Sequence, residues 1–237
     1  LSIIIPNLNS EIVNKTIESI KDQANKYSYE IIIVGQDRFN LINSLINTNI
    51  KFIETKTPAP PGVARNIGVS NSKGEFLLFI DADCVALPNW IDKHLEVHKM
   101  FKEFIVTGGS IIFNRTHYFN LVDNISTFHE YMDHLPFSKK SQLPSINLCL
   151  HRSIWDNYGG FNSDPAGEDS EFTTRLALQK VPLLFTPDAK VEHRHNRNSF
   201  KSLINHAYQF GKFSIKGDKK YQKDLKVPFI LRNEFLS

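Results

Sequence analysis

Through the first hundred residues, short apolar runs alternate with stretches whose apolar positions recur every three or four residues. Residues 2–5 are one such run, stopped by Pro6, and Val13, Ile17 and Ile20 follow at helical spacing. Residues 30–34 read as a second buried strand. Leu41, Leu45 and Ile46 predict a helix, and residues 51–54 a weaker strand. Pro60-Pro61-Gly62 opens a helix that carries Val63 and Ile67 on one face and runs to Ser70. The run Gly74-Glu75-Phe76-Leu77-Leu78-Phe79-Ile80-Asp81-Ala82-Asp83 is a buried strand that delivers two acids to solvent. Pro88 then suits the first position of a helix bearing Ile91, Leu95 and His98. This β-α-β-α-β-α-β order predicts an α/β fold, a mostly parallel sheet flanked by helices on both faces.

The second half is less regular. Residues 105–109 and 110–113 read as strands meeting at the sheet, 145–150 as another, and 183–185 and 190–193 as two short ones. Residues 168–179 predict a helix with Phe172 and Leu176 inward, after a turn at Gly159-Gly160-Phe161. Residues 114–142 are rich in aromatics without a clear period. Tyr118 to Phe137 is expected to serve as core packing, with an acceptor-side loop of stacking rings as the alternative. No internal repeat interrupts the pattern. The break near Gly108 predicts two lobes sharing one sheet.

Composition narrows the class. The chain has 237 residues, 41% of them apolar and 22% charged, which is ordinary for a globular domain. That length buries roughly 70–75% of the unfolded surface without staples. A net charge of +3 is too small to argue for nucleic acid. Cys84 and Cys149 make no disulfide framework, so a reducing, cytoplasmic setting is expected. No stretch approaches the roughly 18 apolar residues of a membrane span. Leu1 already heads a strand, so further residues are expected ahead of it. Residues 216–226 hold five lysines against two aspartates, followed by Val227-Pro228-Phe229-Ile230-Leu231. Such a basic tail is expected to be solvated, with peripheral contact to an anionic membrane surface as the alternative.

Four places carry candidate chemistry. Asp81 and Asp83, on an extended segment, would project to one side. Two acids at the carboxyl end of a strand suit a hard cation such as Mg²⁺ or Mn²⁺ with a phosphate, and capping of the following helix is the plainer alternative. Arg65, among the small residues of Gly62-Val63-Ala64-Arg65-Asn66-Ile67-Gly68, suits a bidentate phosphate contact or a pair with one of the acids. Asp169, in Gly167-Glu168-Asp169, opens a helix whose N-terminus favours the ionised carboxylate; it is a candidate base or a helix cap. His193 and His195 alternate and so share a face, where a neutral imidazole is a ligand for Mn²⁺.

In this order, these segments resemble the family 2 glycosyltransferases, which have the GT-A fold. The matching residues are Ser2-Ile3-Ile4-Ile5-Pro6 with Asn9, the Gly62–Gly68 segment quoted above, and the strand ending Asp81-Ala82-Asp83. Asn147, Gly159-Gly160-Phe161, Glu168-Asp169 and His193 complete the set. The likeness spans about residues 1–215. It implies a Rossmann-like, GT-A α/β sheet with a donor lobe at 1–107, an acceptor-binding lobe at 108–217 sharing that sheet, and a basic tail at 218–237. It implies inverting transfer of a hexosyl or N-acetylhexosaminyl group from a nucleotide-diphosphate sugar to an acceptor hydroxyl. Glycan, lipid-linked, peptide and small-molecule acceptors all remain open.

By the same likeness, Asp169 is the catalytic base and Glu168 helps to hold the acceptor. Pro6, Asn9, Asp37, Arg65, Asp81 and Ala82 bind the donor, with Asp81 on the ribose and Arg65 near the base or diphosphate. Asp83 binds Mn²⁺ or Mg²⁺, joined by His193 or His195. The chain departs from the family pattern in two places. Leu8 stands where a Tyr is common, and the second strand ends Gly35-Gln36-Asp37 rather than in paired aspartates, so the expectation of uridine as the donor base rests on Asp37, one residue displaced. The later arginine- and tryptophan-containing motif of polymerising members is not recognisable, which favours single transfers. A nucleotidyltransferase is a weaker alternative, because residues 7–11 hold no Lys or Arg for a triphosphate. A catalytically degenerate sugar-nucleotide-binding module is weaker still, because Asp83, Asp169 and a late histidine are retained together.

Overall fold

The structure, a computed structural model, describes residues 1–113 and 117–221. Four parallel strands build its first half: β1 (Ser2–Leu8), β2 (Glu30–Gln36), β3 (Ile50–Glu54) and β4 (Phe76–Ile80), in the order β3-β2-β1-β4. Each apolar run feeds both faces of the sheet, which explains its near-continuous hydrophobicity. Ile3, Ile5, Ile31 and Ile33 pack with Val13, Ile17 and Ile20 of α1 (Val13–Ala24) on one face. Ile4, Ile32, Leu77 and Phe79 pack on the other face, with Ala64 and Val69 of α2 (Pro61–Ser70). A Cβ on Gly68 would lie 2.5 Å from Ile4 Cγ2, so only glycine lets α2 seat this closely on β1.

The helix expected around Leu41–Ile46 is reduced to a single 3₁₀ turn, Asn43–Leu45. Asparagines compete for the backbone there. Asn47 Oδ1 accepts from the amides of Asn49 and Ile50, and Asp37 Oδ2 accepts from Ile42 N at 2.8 Å. The helix expected from Pro88 starts two residues later, as α3 (Trp90–Met100), because Asn89 takes a left-handed φ of 67°; Gln23 Oε1 from α1 accepts from the Trp90 amide at 2.8 Å.

The second half mixes directions. β5 (Cys84–Ala86) is a short strand that the apolar pattern does not announce. The two runs expected at 105–113 are one strand, β6 (Val106–Phe113), and those at 183–193 are one strand, β9 (Leu183–His193). What divides each pair in sequence is a register irregularity: Gly109 pairs with Thr186, but Ser110 pairs with Lys190. Pro187, which cannot donate to a ladder, sits in the skipped stretch, and Ser110 Oγ bonds its carbonyl oxygen at 2.8 Å. β8 (Asn147–His151) lies antiparallel between β4 and β6, so the described strands run β3-β2-β1-β4-β8-β6-β9-β5. β7 (Ser138–Lys139) pairs with β9. The boundary expected at 107/108 falls inside β6, within this one sheet.

Helices α4 (Tyr118–Phe128), α5 (Arg152–Tyr158), α6 (Glu168–Leu178) and α7 (Phe200–Tyr221) complete the described chain. Phe172 and Leu176 of α6 are buried as expected. Both cysteines are free and buried. The first residues of the expected tail, 218–221, end α7, and residues 222–237 lie outside the described part. Among the described residues, no helix is long and apolar enough to cross a membrane.

Candidate active site

A cavity of about 1140 Å³ opens at the carboxyl ends of β1 and β4. Of the residues singled out in the sequence, it brings together Pro6, Asn9, Arg65, Asp81, Ala82, Asp83, Glu168, Asp169, His193 and His195. Asp37 is the exception. It is turned to the Ile42 amide, and the cavity is lined instead by Arg38, whose own amide donates to Asn9 Oδ1 at 2.8 Å. Asn9 takes a left-handed φ of 57°, which asparagine tolerates and which bends the chain out of β1.

The acids do not sit on extended backbone. β4 ends at Ile80, and Cys84 N donates to Asp81 O at 3.0 Å, so residues 81–83 form a turn. Ala82 is buried in it, its carbonyl oxygen accepting from Ser10 Oγ at 2.8 Å and Thr16 Oγ1 at 2.9 Å. The turn sends the two carboxylates to different partners, and neither caps α3.

Asp81 Oδ1 lies 2.6 Å from Arg65 Nη2, while Arg65 Nη1 lies 2.6 Å from Glu168 Oε1. Arg65 is thus committed to two acids, and its guanidinium, 2% exposed, ties α2 to the turn and to α6. Of the two readings offered for it, this geometry is the pair with an acid. Glu168, also buried, points into that pair rather than toward open cavity. Burial and the neighbouring Asp169 carboxylate push the Glu168 carboxyl upward against the pull of Arg65.

Asp83 faces the opposite strand. The pairing of Cys84 with His193 across β5 and β9 brings His193 Nε2 to 3.5 Å from Asp83 Oδ2. Desolvation acts to raise the Asp83 carboxyl, but a protonated His193, with the more distant Arg197, outweighs it and holds it at about 2; a neutral His193 ring gives no such pull. The ligand atoms of Asp83, Cys84 and His193 lie within 4.8 Å of one another. Neighbouring ligands of an octahedral ion with bonds of about 2.1 Å are roughly 3 Å apart, so Asp83 and His193 need little movement to share one. The Cys84 thiol is pushed well up by burial and the two aspartates, so it is a poor partner for a hard ion.

His195 goes elsewhere. Its Nε2 lies 3.3 Å from Asp123 Oδ2 of α4, a carboxylate that also takes Arg197 Nε at 2.6 Å and His206 Nδ1 of α7 at 2.7 Å. Asp169 lines the cavity from the first turn of α6, its Oδ2 accepting from Ser145 N at 3.1 Å and Ser145 Oγ at 3.3 Å. The helix-capping position belongs to Gly167.

Apolar patterning missed Asn120, Asp123, Asn124, Arg197 and His206. The signal present was the i, i+3, i+4 spacing of the first three, which is helical but polar. The aromatic stretch is divided: Thr127–Tyr131 line the cavity, whereas Tyr118 is exposed.

A cleft at the carboxyl ends of the strands is where open α/β sheets bind their ligands, and here it holds an acid–imidazole pair and a separate aspartate. The profile of Glycosyl transferase family 2 matches residues 2–157. The chain belongs to that glycosyltransferase family. It is 25% identical over 224 residues to glycosyltransferase AglE of Haloferax volcanii, covering 91% of this chain and 73% of the relative. The fold is similar to the mannosyltransferase PcManGT from Pyrobaculum calidifontis in complex with GDP-Man and Mn²⁺. There the TM-score is 0.68 at 15% identity, over 96% of this chain and 65% of that one. It is also similar to S. aureus TarS 1-349 in complex with UDP-GlcNAc, with a TM-score of 0.60 at 18% identity, over 83% and 59% respectively. The chain therefore spans about three-fifths of these two structures. Their fold is the GT-A sheet expected from the sequence.

Proposed function

We propose that this chain transfers a sugar, with inversion, from a nucleotide-diphosphate sugar to an acceptor hydroxyl. The observation that carries this reading is the convergence of Asp83, His193 and Asp169 on one cavity from three distant parts of the chain. Asp83 and His193 would hold a divalent cation. When bound, that ion supplies positive charge against the leaving diphosphate. Manganese is favoured over magnesium by the imidazole ligand. The neighbours that were solved with GDP-Man or UDP-GlcNAc fit such a donor, without choosing the base.

Asp169 would accept the proton of the attacking hydroxyl. Ser145 fixes its rotamer through Oδ2, which keeps the carboxylate aimed while it waits. Asp81 would hold the ribose on the oxygen that Arg65 leaves free. Arg65 and Glu168 act as a buried brace between donor and acceptor sides rather than as direct sugar contacts. The lobes at 1–107 and 108–217 would divide donor from acceptor.

Nucleotide release from a panel of sugar nucleotides, with Mn²⁺ and with chelator, tests the reading. Metal-dependent release of a nucleoside diphosphate with an acceptor present supports it. Pyrophosphate exchange instead would indicate a nucleotidyltransferase, and donor binding without turnover on any acceptor would indicate a binding module.

A further inference from the structure

Hydrogen-bond logic on α4 fixes where the proton sits on His193. Asn120 Nδ2 lies 2.6 Å from the backbone oxygen of His195, which only accepts, so this side of the amide is its NH₂. Asn120 Oδ1 is therefore an acceptor. Together with the Asn120 backbone oxygen it faces Asn124 Nδ2, at 2.8 and 3.0 Å. Asn124 thus presents its NH₂ backward and its Oδ1 forward, 2.6 Å from His193 Nδ1. An amide oxygen cannot donate, so Nδ1 carries the hydrogen. All three side chains are buried, and the Phe128 ring stands edge-on to the imidazole at 5.5 Å, which limits its rotation.

In the neutral ring this leaves a lone pair on Nε2, the ring nitrogen that lies beside Asp83 Oδ2. Their 3.5 Å separation exceeds the roughly 2.7–3.2 Å of an ordinary N–H···O bond. Two electron-rich atoms facing each other across that gap repel, unless something positive lies between them.

We propose that Asn124, oriented by Asn120, is a positioning residue that locks His193 as the Nδ1–H tautomer and keeps Nε2 open for a divalent cation shared with Asp83. The inference rests on the cation reading of Asp83 and His193 given above. It adds that the readiness of the site is set from α4, on the far side of the ring from the ion. Outer partners of this kind typically change metal affinity by about 10–100-fold when removed.

The test uses the full chain, free of metal and labelled with ¹⁵N-histidine, at alkaline pH. Its ring nitrogen shifts report each tautomer, and His193 is assigned by comparison with His193→Gln. The expected signature in the unmodified protein is Nδ1–H, a result that needs no variant to fold. Asn124→Leu should lose that signature and bind Mn²⁺ about 10–100-fold more weakly by calorimetry. Asn124→Asp keeps an acceptor toward Nδ1 but turns its second oxygen onto the Asn120 oxygens, so it should retain the Nδ1–H signature at a cost in stability. An Nε2–H signature in the unmodified protein overturns the inference, as does unchanged tautomer and Mn²⁺ affinity in Asn124→Leu. Equal Mn²⁺ affinity in the unmodified protein and Asp83→Ala overturns the cation reading instead, whatever the tautomer.

Discussion

Asp81 and Asp83 are separated by one alanine, yet they stand in opposite electrostatic circumstances. Asp81 is paired with Arg65, which also meets Glu168, so one guanidinium of the chain itself serves both acids while Asp81 stays at the cavity wall. Asp83 meets an imidazole at 3.5 Å and a neutral thiol at 3.9 Å, and that imidazole is held from behind by an amide oxygen. The two acids are not interchangeable ligands of one ion. One joins a brace between layers of the molecule, and the other retains a demand for positive charge.

The sharpest challenge comes from Asp169, because the comparison leaves proton transfer to neither member of the turn. Asp169→Asn should leave donor affinity nearly intact while kcat falls by about 10²–10⁴-fold, read in a steady-state assay. Turnover like that of the unmodified protein would remove Asp169 as the base. Next in size is Arg65→Met, which strands the buried Glu168 carboxylate and leaves Asp81 unpaired at the cavity wall. Breaking a buried pair in this way costs about 3–5 kcal/mol, measured by urea unfolding. Asp83→Asn, by contrast, should change metal-free stability little and remove Mn²⁺-dependent donor binding. If both variants behaved alike, the distinction between the acids would fail.

A finer contrast sets His193→Ala against His195→Ala. The first should weaken Mn²⁺ binding clearly more than the second, because His195 answers to Asp123 rather than Asp83. Equal losses would place the third ligand differently. A last contrast lies in the sheet behind the site. His94 is buried and His98 half-buried, both as neutral rings, and desolvation lowers them from 6.5 to about 3 and about 4. Below pH 6.5 the unfolded chain takes up protons that the folded one refuses, so stability should fall as pH drops toward 4. The slope reaches about 1.4 kcal/mol per pH unit for each ring. Thermal melts from pH 7.5 to 4.5 would show it, and His94→Gln should flatten the curve.

The parallel half was legible because Ile3–Ile5, Ile31–Val34 and Leu77–Ile80 are apolar on both faces, and a run of that kind has few other uses. The site residues were legible through their order along the chain more than through any single spacing. Arg65 shows the limit: its sequence context allowed a phosphate or an acid, and only the approach of α6 decides for Glu168. α4 stayed hidden for the opposite reason. Its inward face is Asn120, Asp123 and Asn124, so a search for buried apolar stripes looks at the wrong side of the helix. Asparagine chemistry likewise removed the helix expected near Leu41.

The register jump between β6 and β9 carries a further consequence. A Cβ on Gly109 would lie 2.1 Å from Ala189 O, so the strands pinch together there. Asn147 Nδ2 reaches into the seam, donating to Ser110 O at 3.0 Å and Ala189 O at 2.8 Å, while its Oδ1 accepts from Trp90 Nε1 and His94 Nε2, both at 2.8 Å. One side chain thus works as a mitre joint, replacing the rungs that the skipped residues do not supply. Beyond that joint, four residues along β9, stands His193. Were the seam to slip by a single place, strand alternation would swing that imidazole to the opposite side of the sheet, away from Asp83. The aim of the histidine is therefore cut into the carpentry of the sheet, well back from the cleft it serves.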